Sequence, residues 1–301
     1  LKSYAQNFED VMLSRLFDGK TDGFYVDVGA WDPNEHSVTK HFYDLGWSGI
    51  NIEPIRSRFE NFVRERTRDI NLNVAITKLS GEIPFFECPS EDYFSTADPA
   101  VAEVMKNKGL PIEEYAVSGV PLSTILAEHK VENIDFLKID VEGLESEVIE
   151  SIDFRQFRPT VLVIESVIQG QRPDSWEDTD AILNNQAWEE SVIQSGYVFA
   201  YFDGLNRYYI EEKSQNLVKR FRLPPCVFDE IELAGQTAIL QTELEKRARL
   251  ITELDSAANA LQKACDERLD LINRQAAHID ELNETITQIT NEMEKQNGKQ
   301  N

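Results

Sequence analysis

Acidic residues stand at regular places in the first half of this chain. Asp27 and Asp32 flank Gly29-Ala30, Glu53 follows about 20 residues past that turn, Asp140 and Glu142 precede Gly143, and Glu165 comes later. Each follows an apolar run. Carboxylates placed this way can accept hydrogen bonds from hydroxyls, offset a positive charge, or take up a proton. Hard oxygen donors of this kind also suit magnesium, but Asp140, Glu142 and Glu165 are dispersed along the chain and we assign no metal. Gly29 is the single glycine of "FYVDVGAWDPN", with Trp31 and Pro33 after it. A turn that cradles a pyrophosphate needs G-x-G-x-x-G, so the dinucleotide fingerprint is absent.

The elements that must position these residues alternate. Residues 23–30, 49–54, 70–77, 134–141 and 159–166 read as strands, with 81–88 as an added one. Helical patterns fall between them at 37–46, 57–68, 121–130 and 144–152, and "SWEDTDAILNNQAWEESVIQSG" also carries helical signal. "YVFAYFDGLNRYYI", 197–210, reads as two strands around an Asp203-Gly204 turn. Apolar strands alternating with helices predict an α/β fold, a mostly parallel sheet covered on both faces. A closing hairpin adds an antiparallel edge. This is the ordering of the class I, Rossmann-like methyltransferases.

Ligands of open α/β sheets lie beyond the carboxyl ends of the strands. Asp27, Gly29, Ala30 and Asp32 follow the first strand, Glu53 the second, Asn73 and Ala75 the third, Asp140 and Glu142 the fourth, and Glu165 the fifth. A phosphate-free ligand with a ribose and positive charges suits these turns, as S-adenosylmethionine does. One glycine would let the chain approach it. An acid at the second strand end can accept both ribose hydroxyls.

"VDVGAWDPNEHSVT", "GWSGINIEP", "NVAI", "DFLKIDVEGLESEV" and "FRPTVLVIE", in this order, resemble the FkbM family of S-adenosylmethionine-dependent O-methyltransferases. "SYAQNFEDVML" and "YFDGLNRYY" look like a subgroup found with surface-polysaccharide genes. The resemblance covers about residues 3 to 230, and "FLKIDVEGLE" is its most specific piece. It implies S-adenosyl-L-methionine as donor and a hydroxyl acceptor on a small molecule or glycan. By that resemblance Asp27, Gly29 and Ala30 line the methionine half, Asp32 also belongs to the cofactor site, and Glu53 takes the ribose. Asn73 and Ala75 sit near the adenine or the loop before it, and Asp140 and Glu142 face the sulfonium and the acceptor. Ser95, Thr96 and Glu165 fall on the substrate side, and Gln6 in the opening segment closes over the cofactor with Asp10. Family members often carry Asn and Gly where this chain has Trp31 and Pro33. Trp31 either shapes the methionine end or packs under the loop.

A sugar hydroxyl is a poor nucleophile, so a general base helps. Asp140, His36, His41 and Glu165 are the candidates, with Asp140 first and His36 near the cofactor turn. Two rival readings compete with this one. A nicotinamide oxidoreductase would want more glycines and a catalytic Tyr-x-x-x-Lys. Tyr209 and Lys213 have that spacing but lie in a strand, where they share no helix face. An inactive methyltransferase-like scaffold on a coiled-coil stalk is the alternative, against which stand Asp27, Glu53, Asp140 and Glu142.

The chain of 301 residues carries a formal net charge of −24, which argues against nucleic acid as partner. Cys88, Cys226 and Cys265 are too few and too scattered for a disulfide framework or zinc site. With no basic-then-apolar leader pattern and no long apolar span, we expect a cytoplasmic protein without a transmembrane segment. Residues 1–230 are expected to form the methyltransferase domain.

After Gly235 proline and aromatic residues vanish, and a heptad register runs over 236–296. Leu244, Ile251, Ala258, Cys265, Ile272, Ile279, Ile286 and Met293 fall at a, while Leu240, Arg247, Leu254, Leu261, Arg268, Gln275, Leu282 and Ile289 fall at d. Such a series predicts a long coiled-coil helix and a homo-oligomer, with two or three strands left open. The start at Leu1 and the end within a helical pattern suggest a longer protein with a further domain.

Overall fold

The computed structural model describes residues 1–90, 95–167, 183, 187–234 and 236–297. The chain divides into two compact units, Leu1–Ala234 and Gly235–Asn301.

The first unit opens with β1 (Lys2–Ser3) and α1 (Glu9–Leu16), then alternates through β2 (Phe24–Val28), α2 (Lys40–Asp44), β3 (Ser48–Ile52), α3 (Arg56–Glu65) and β4 (Ile70–Leu72). An insertion follows, made of β5 (Ala75–Ile76), β6 (Gly81–Glu87), α4 (Pro99–Asn107) and β7 (Glu113–Val120). Alternation resumes with α5 (Leu122–Glu128), β8 (Phe136–Ile139), α6 (Glu145–Ser151) and β9 (Val161–Glu165). Then come α7 (Glu189–Gln194), β10 (Tyr197–Phe202), β11 (Asn206–Glu211), a 3-10 segment Glu212–Phe221 and β12 (Glu232–Leu233).

The central sheet has the order β10-β11-β9-β8-β2-β3-β4. The pairs among β9, β8, β2, β3 and β4 are parallel, and β11 runs antiparallel to both β9 and β10. The mixed α/β architecture and mostly parallel sheet are therefore as expected.

Every residue of β8 and β9 is buried, which is why both read as apolar runs apart from Lys138 and the terminal Glu165. Alternate side chains feed two cores. Val26, Ile50, Leu137 and Leu162 pack with Leu122, Ile125 and Val148 on one face. Tyr25, Phe136, Val161 and Val163 pack with Met12, Leu13, Phe42 and Trp47 on the other.

Two expectations need correction, and two elements were not expected. The strand read over 70–77 is two strands in two sheets: β4 ends the central sheet, while β5 pairs with β7 in a separate sheet of order β5-β7-β6. The break has a cause, because the Asn73 amide donates to the carbonyls of Glu53 (2.9 Å) and Pro54 (2.8 Å) and turns the chain. The elements β7 and α4 went unread, since β7, "EEYAVSGV", is largely exposed and lacks an apolar run. The second correction is that α2 is a short helix, Lys40–Asp44, inside the longer one expected over 37–46. The helical signal before Trp188 lies largely outside the described residues.

The second unit is α8 (Gln236–Asn297), a single helix of 62 residues. Among the described residues no helix is long and apolar enough to cross a membrane.

Candidate functional site

The carboxyl ends of β2, β3, β8 and β9 open onto a cavity of about 810 Å³, of which the insertion supplies part through Phe85, Ser90, Ser95 and Ala97. Its volume falls in the range of small-molecule and cofactor pockets.

The turn after β2 is held against the end of β8. Gly29 has φ +77°, and a Cβ there would lie 1.7 Å from the Asp140 carbonyl oxygen. The residue is glycine because two backbones meet, a different reason from the ligand approach read in the sequence. Lys138 braces the same junction. Its Nζ donates to the Gly29 carbonyl (2.8 Å) and lies 3.2 Å from Asp140 Oδ2 and 3.5 Å from Asp27 Oδ1. Burial by itself would lower the Lys138 pKa, but Asp140 and Asp27 outweigh it and the net shift is upward. Burial raises Asp27 despite the lysine.

Glu53 is 4% exposed and receives two backbone donors. Trp31 N–H donates to one carboxylate oxygen and Ile55 N–H to the other, both at 2.8 Å. Burial pushes its pKa up to about 8. Each carboxylate oxygen keeps a lone pair for a further donor. Trp31 sits on the wall at φ +54°, its ring 5.6 Å from His36 and 4.3 Å from the Arg58 guanidinium. It therefore belongs to the cavity wall.

At the other side Asp140, Glu142 and Glu165 converge. Their carboxylate oxygens lie within 4.8 Å of one another, close enough to share one hard cation or a set of protons. Glu142 takes a left-handed backbone, φ +58°, directly before Gly143 at φ +106°. A bulky residue held there is a strained position of the kind found at functional sites. Burial, and then the neighbouring Asp140, raise Glu142 and Glu165 well above the usual carboxylate range.

The expected residues divide by placement. Gln6, Gly29, Ala30, His36, Glu53, Ala75, Ser95, Asp140, Glu142 and Glu165 all line the cavity. Four others support it from outside the wall. Asp27 is buried and engaged with Lys138 and Thr39 (3.3 Å). Asp32 caps the turn, accepting from the N–H groups of Asn34 and Glu35 at 2.9 Å each, and pairs with Arg58 at 2.8 Å. Asn73 makes the bend after β4. Thr96 is buried and its hydroxyl donates to the Glu142 carbonyl at 2.8 Å, tying the insertion to the strained turn. The Ser95 hydroxyl accepts the Cys88 N–H at 3.0 Å. His41 bonds the Lys2 carbonyl through Nδ1 (3.1 Å) and does not line the cavity, so the base candidates there are Asp140, His36 and Glu165. Asp10 holds the opening segment, accepting from Ser3 Oγ (2.7 Å) and from the N–H groups of Tyr4 (2.7 Å) and Ala5 (3.2 Å).

Sequence reasoning missed Lys138 and Arg58. A lysine inside the apolar run "FLKI" was the available signal, since a buried ammonium demands partners.

A family model described as "Methyltransferase FkbM domain" matches residues 27–189, more than half of the chain. The chain belongs to the FkbM methyltransferase family. No curated protein matches it. The FkbM match begins at Asp27, within β2, and ends at Glu189, the first residue of α7. It takes in every cavity acid named above and leaves out Gln6 and α8.

Proposed function

We propose that this FkbM methyltransferase uses S-adenosylmethionine to methylate a hydroxyl group, on a sugar of a surface polysaccharide or related glycan. The observation that carries the reading is the cavity at the strand ends, with Glu53 at one end and Asp140, Glu142 and Glu165 at the other. The donor's chemistry fits these residues. Its ammonium and sulfonium suit an acidic wall, its ribose suits Glu53, and its lack of phosphate suits a turn with one glycine.

The bound cofactor would supply a methyl group activated on a positive sulfur. The protein's own residues do the rest. Glu53 accepts the ribose hydroxyls with the lone pairs left over from Trp31 and Ile55. Gly29 and Ala30 offer backbone to the methionine half, beside Gln6, and Ala75 lies toward the adenine. The carboxylates of Asp140 and Glu142 favour the sulfonium. Holding acceptor oxygen and methyl carbon in line supplies much of the rate. Asp140 takes the proton from the acceptor hydroxyl, and Glu165, with Ser95 on the insertion, orients the acceptor.

Transfer of labelled methyl from S-adenosylmethionine should be tested over oligosaccharides, nucleotide sugars and lipid-linked glycans. Label on a sugar oxygen, cut about 10²–10⁴-fold in Asp140→Asn, supports the reading. Label found on carbon or nitrogen, or full turnover in Asp140→Asn, refutes the hydroxyl chemistry or the base.

A further inference from the structure

In the single chain α8 leaves its apolar seam open to water. Leu244, Ile251, Leu254, Ile279, Leu282 and Ile286 are each 49 to 66% exposed. A lone helix does not keep such a stripe at a strict seven-residue period unless something covers it. We propose that α8 pairs with α8 of a second copy, parallel and in register, and that the seam passes from d to the flanking leucines wherever d is arginine.

The strand number follows from the residues at a and d. Ile251 with Leu254, and Ile279 with Leu282, put a β-branched residue at a and leucine at d, the combination that favours two parallel strands, whereas Ile286 with Ile289 favours more. Arg247 and Arg268 at d decide for two. In a pair, a long d side chain can lay its stem along the seam and reach water, which a third strand would obstruct.

The orientation follows from where the weak layers fall. Parallel copies in register stack Arg247 on Arg247 and Arg268 on Arg268, so two layers absorb both arginines. Antiparallel copies overlapping over 244–289 would set Arg247 against Ile286 and Arg268 against Cys265, doubling the spoiled layers.

The flanks explain how the pair tolerates the arginines. Positions e and g hold no opposite charges to pair across the seam. They are mostly small or polar, with three exceptions. Leu250 at g lies three residues after Arg247. Leu269 at e and Leu271 at g lie one and three residues after Arg268. All three are 55 to 57% exposed in the single chain. Large apolar flanks occur only beside the arginine layers, where they can take over the contact. The nine leucines and isoleucines at a and d from Leu244 to Ile289 and the three flanking leucines, at roughly 60–100 Å² each, would bury roughly 1,400–2,400 Å² between two copies. That reaches the ~1,200–2,000 Å² of a stable interface.

Sedimentation equilibrium of the full chain at micromolar concentration should give two chains of 34.5 kDa each. Orientation is read by thiol oxidation with diamide, which accepts the two protons and two electrons released as two thiols join. In Cys265→Ala/Ile279→Cys, parallel copies bring the new thiols face to face and a covalent pair forms. In the antiparallel arrangement they lie about 37 Å apart at 1.5 Å per residue, and none forms. Cys265→Ala alone is the blank. The triple change Leu250→Glu/Leu269→Glu/Leu271→Glu should weaken pairing at least tenfold. One chain, three chains, or no link at position 279 overturns the parallel pair. A triple variant that pairs as tightly as the parent overturns the role of the flanks.

Discussion

Gly29 and Asp140 touch backbone to backbone: a methyl group at the Cβ position of Gly29 would sit 1.7 Å from the Asp140 carbonyl oxygen. The turn after β2 and the end of β8 are therefore one structure. Gly29→Ala must both hold φ +77° and push that carbonyl away. The left-handed backbone alone costs about 1–3 kcal/mol. We expect the melting temperature to fall by several degrees or more, and a melt indistinguishable from the parent would mean that the junction is looser than described.

Lys138 closes the same junction electrostatically. Removing it in Lys138→Met leaves the Asp27 carboxylate buried without its cation, a loss of about 3–5 kcal/mol for a broken buried pair. Asp27→Asn/Lys138→Met removes both charges and should recover part of that. Chemical denaturation of the two single variants and the double gives the coupling. Strictly additive losses would show that Lys138 acts on Gly29 and Asp140 without Asp27.

Two buried acids set a pH dependence. Burial raises Glu53 from 4.5 to about 8 and Glu9 from 4.5 to about 7. A raised acid binds its proton more tightly in the folded chain, so its stabilising effect is complete below 4.5 and is lost as pH rises through 7 and 8. Asp44 and Glu65 oppose this only at low pH. Burial works against the lowered pKa of Asp44, but its Lys40 and Tyr4 hydrogen bonds outweigh it, and hydrogen bonds from Asn34 and Arg64 lower Glu65. Calorimetric melts of the ligand-free protein should decline from about pH 5 to about pH 8.5. Glu53→Gln should flatten the upper part of that decline. Melts that rise over the same interval would contradict both assignments.

Much of this site could be read in the sequence because the relevant acids end apolar strands. Burial on both faces makes β8 and β9 apolar but for Lys138 and Glu165, so Asp140, Glu142 and Glu165 stand out at the strand ends. Glu53 is legible for the same reason at the end of β3. Long-range closure is what the sequence hides. Nothing in the "VDVGA" stretch tells that Gly29 answers to a carbonyl more than a hundred residues away. Lys138 looks like a fault in a strand until Asp27 arrives beside it on β2. Asn73 looks like a strand residue until its amide finds the Glu53 and Pro54 carbonyls. The strand β7 is exposed on most of its length, so it carries no periodicity to read, and the insertion it completes supplies part of the cavity wall.

The central claim is that the cavity holds S-adenosylmethionine with Glu53 on the ribose, and titration calorimetry tests it without knowledge of the acceptor. The account predicts one binding site per chain for S-adenosylmethionine and for its demethylated product. It also predicts, above pH 8 where Glu53 is ionised, an affinity lower by about 1.5–3 kcal/mol in Glu53→Ala, the worth of a hydrogen bond to a charged partner. A folded protein that gives no binding heat with either ligand at several temperatures, or that binds both as tightly after Glu53→Ala, would contradict it.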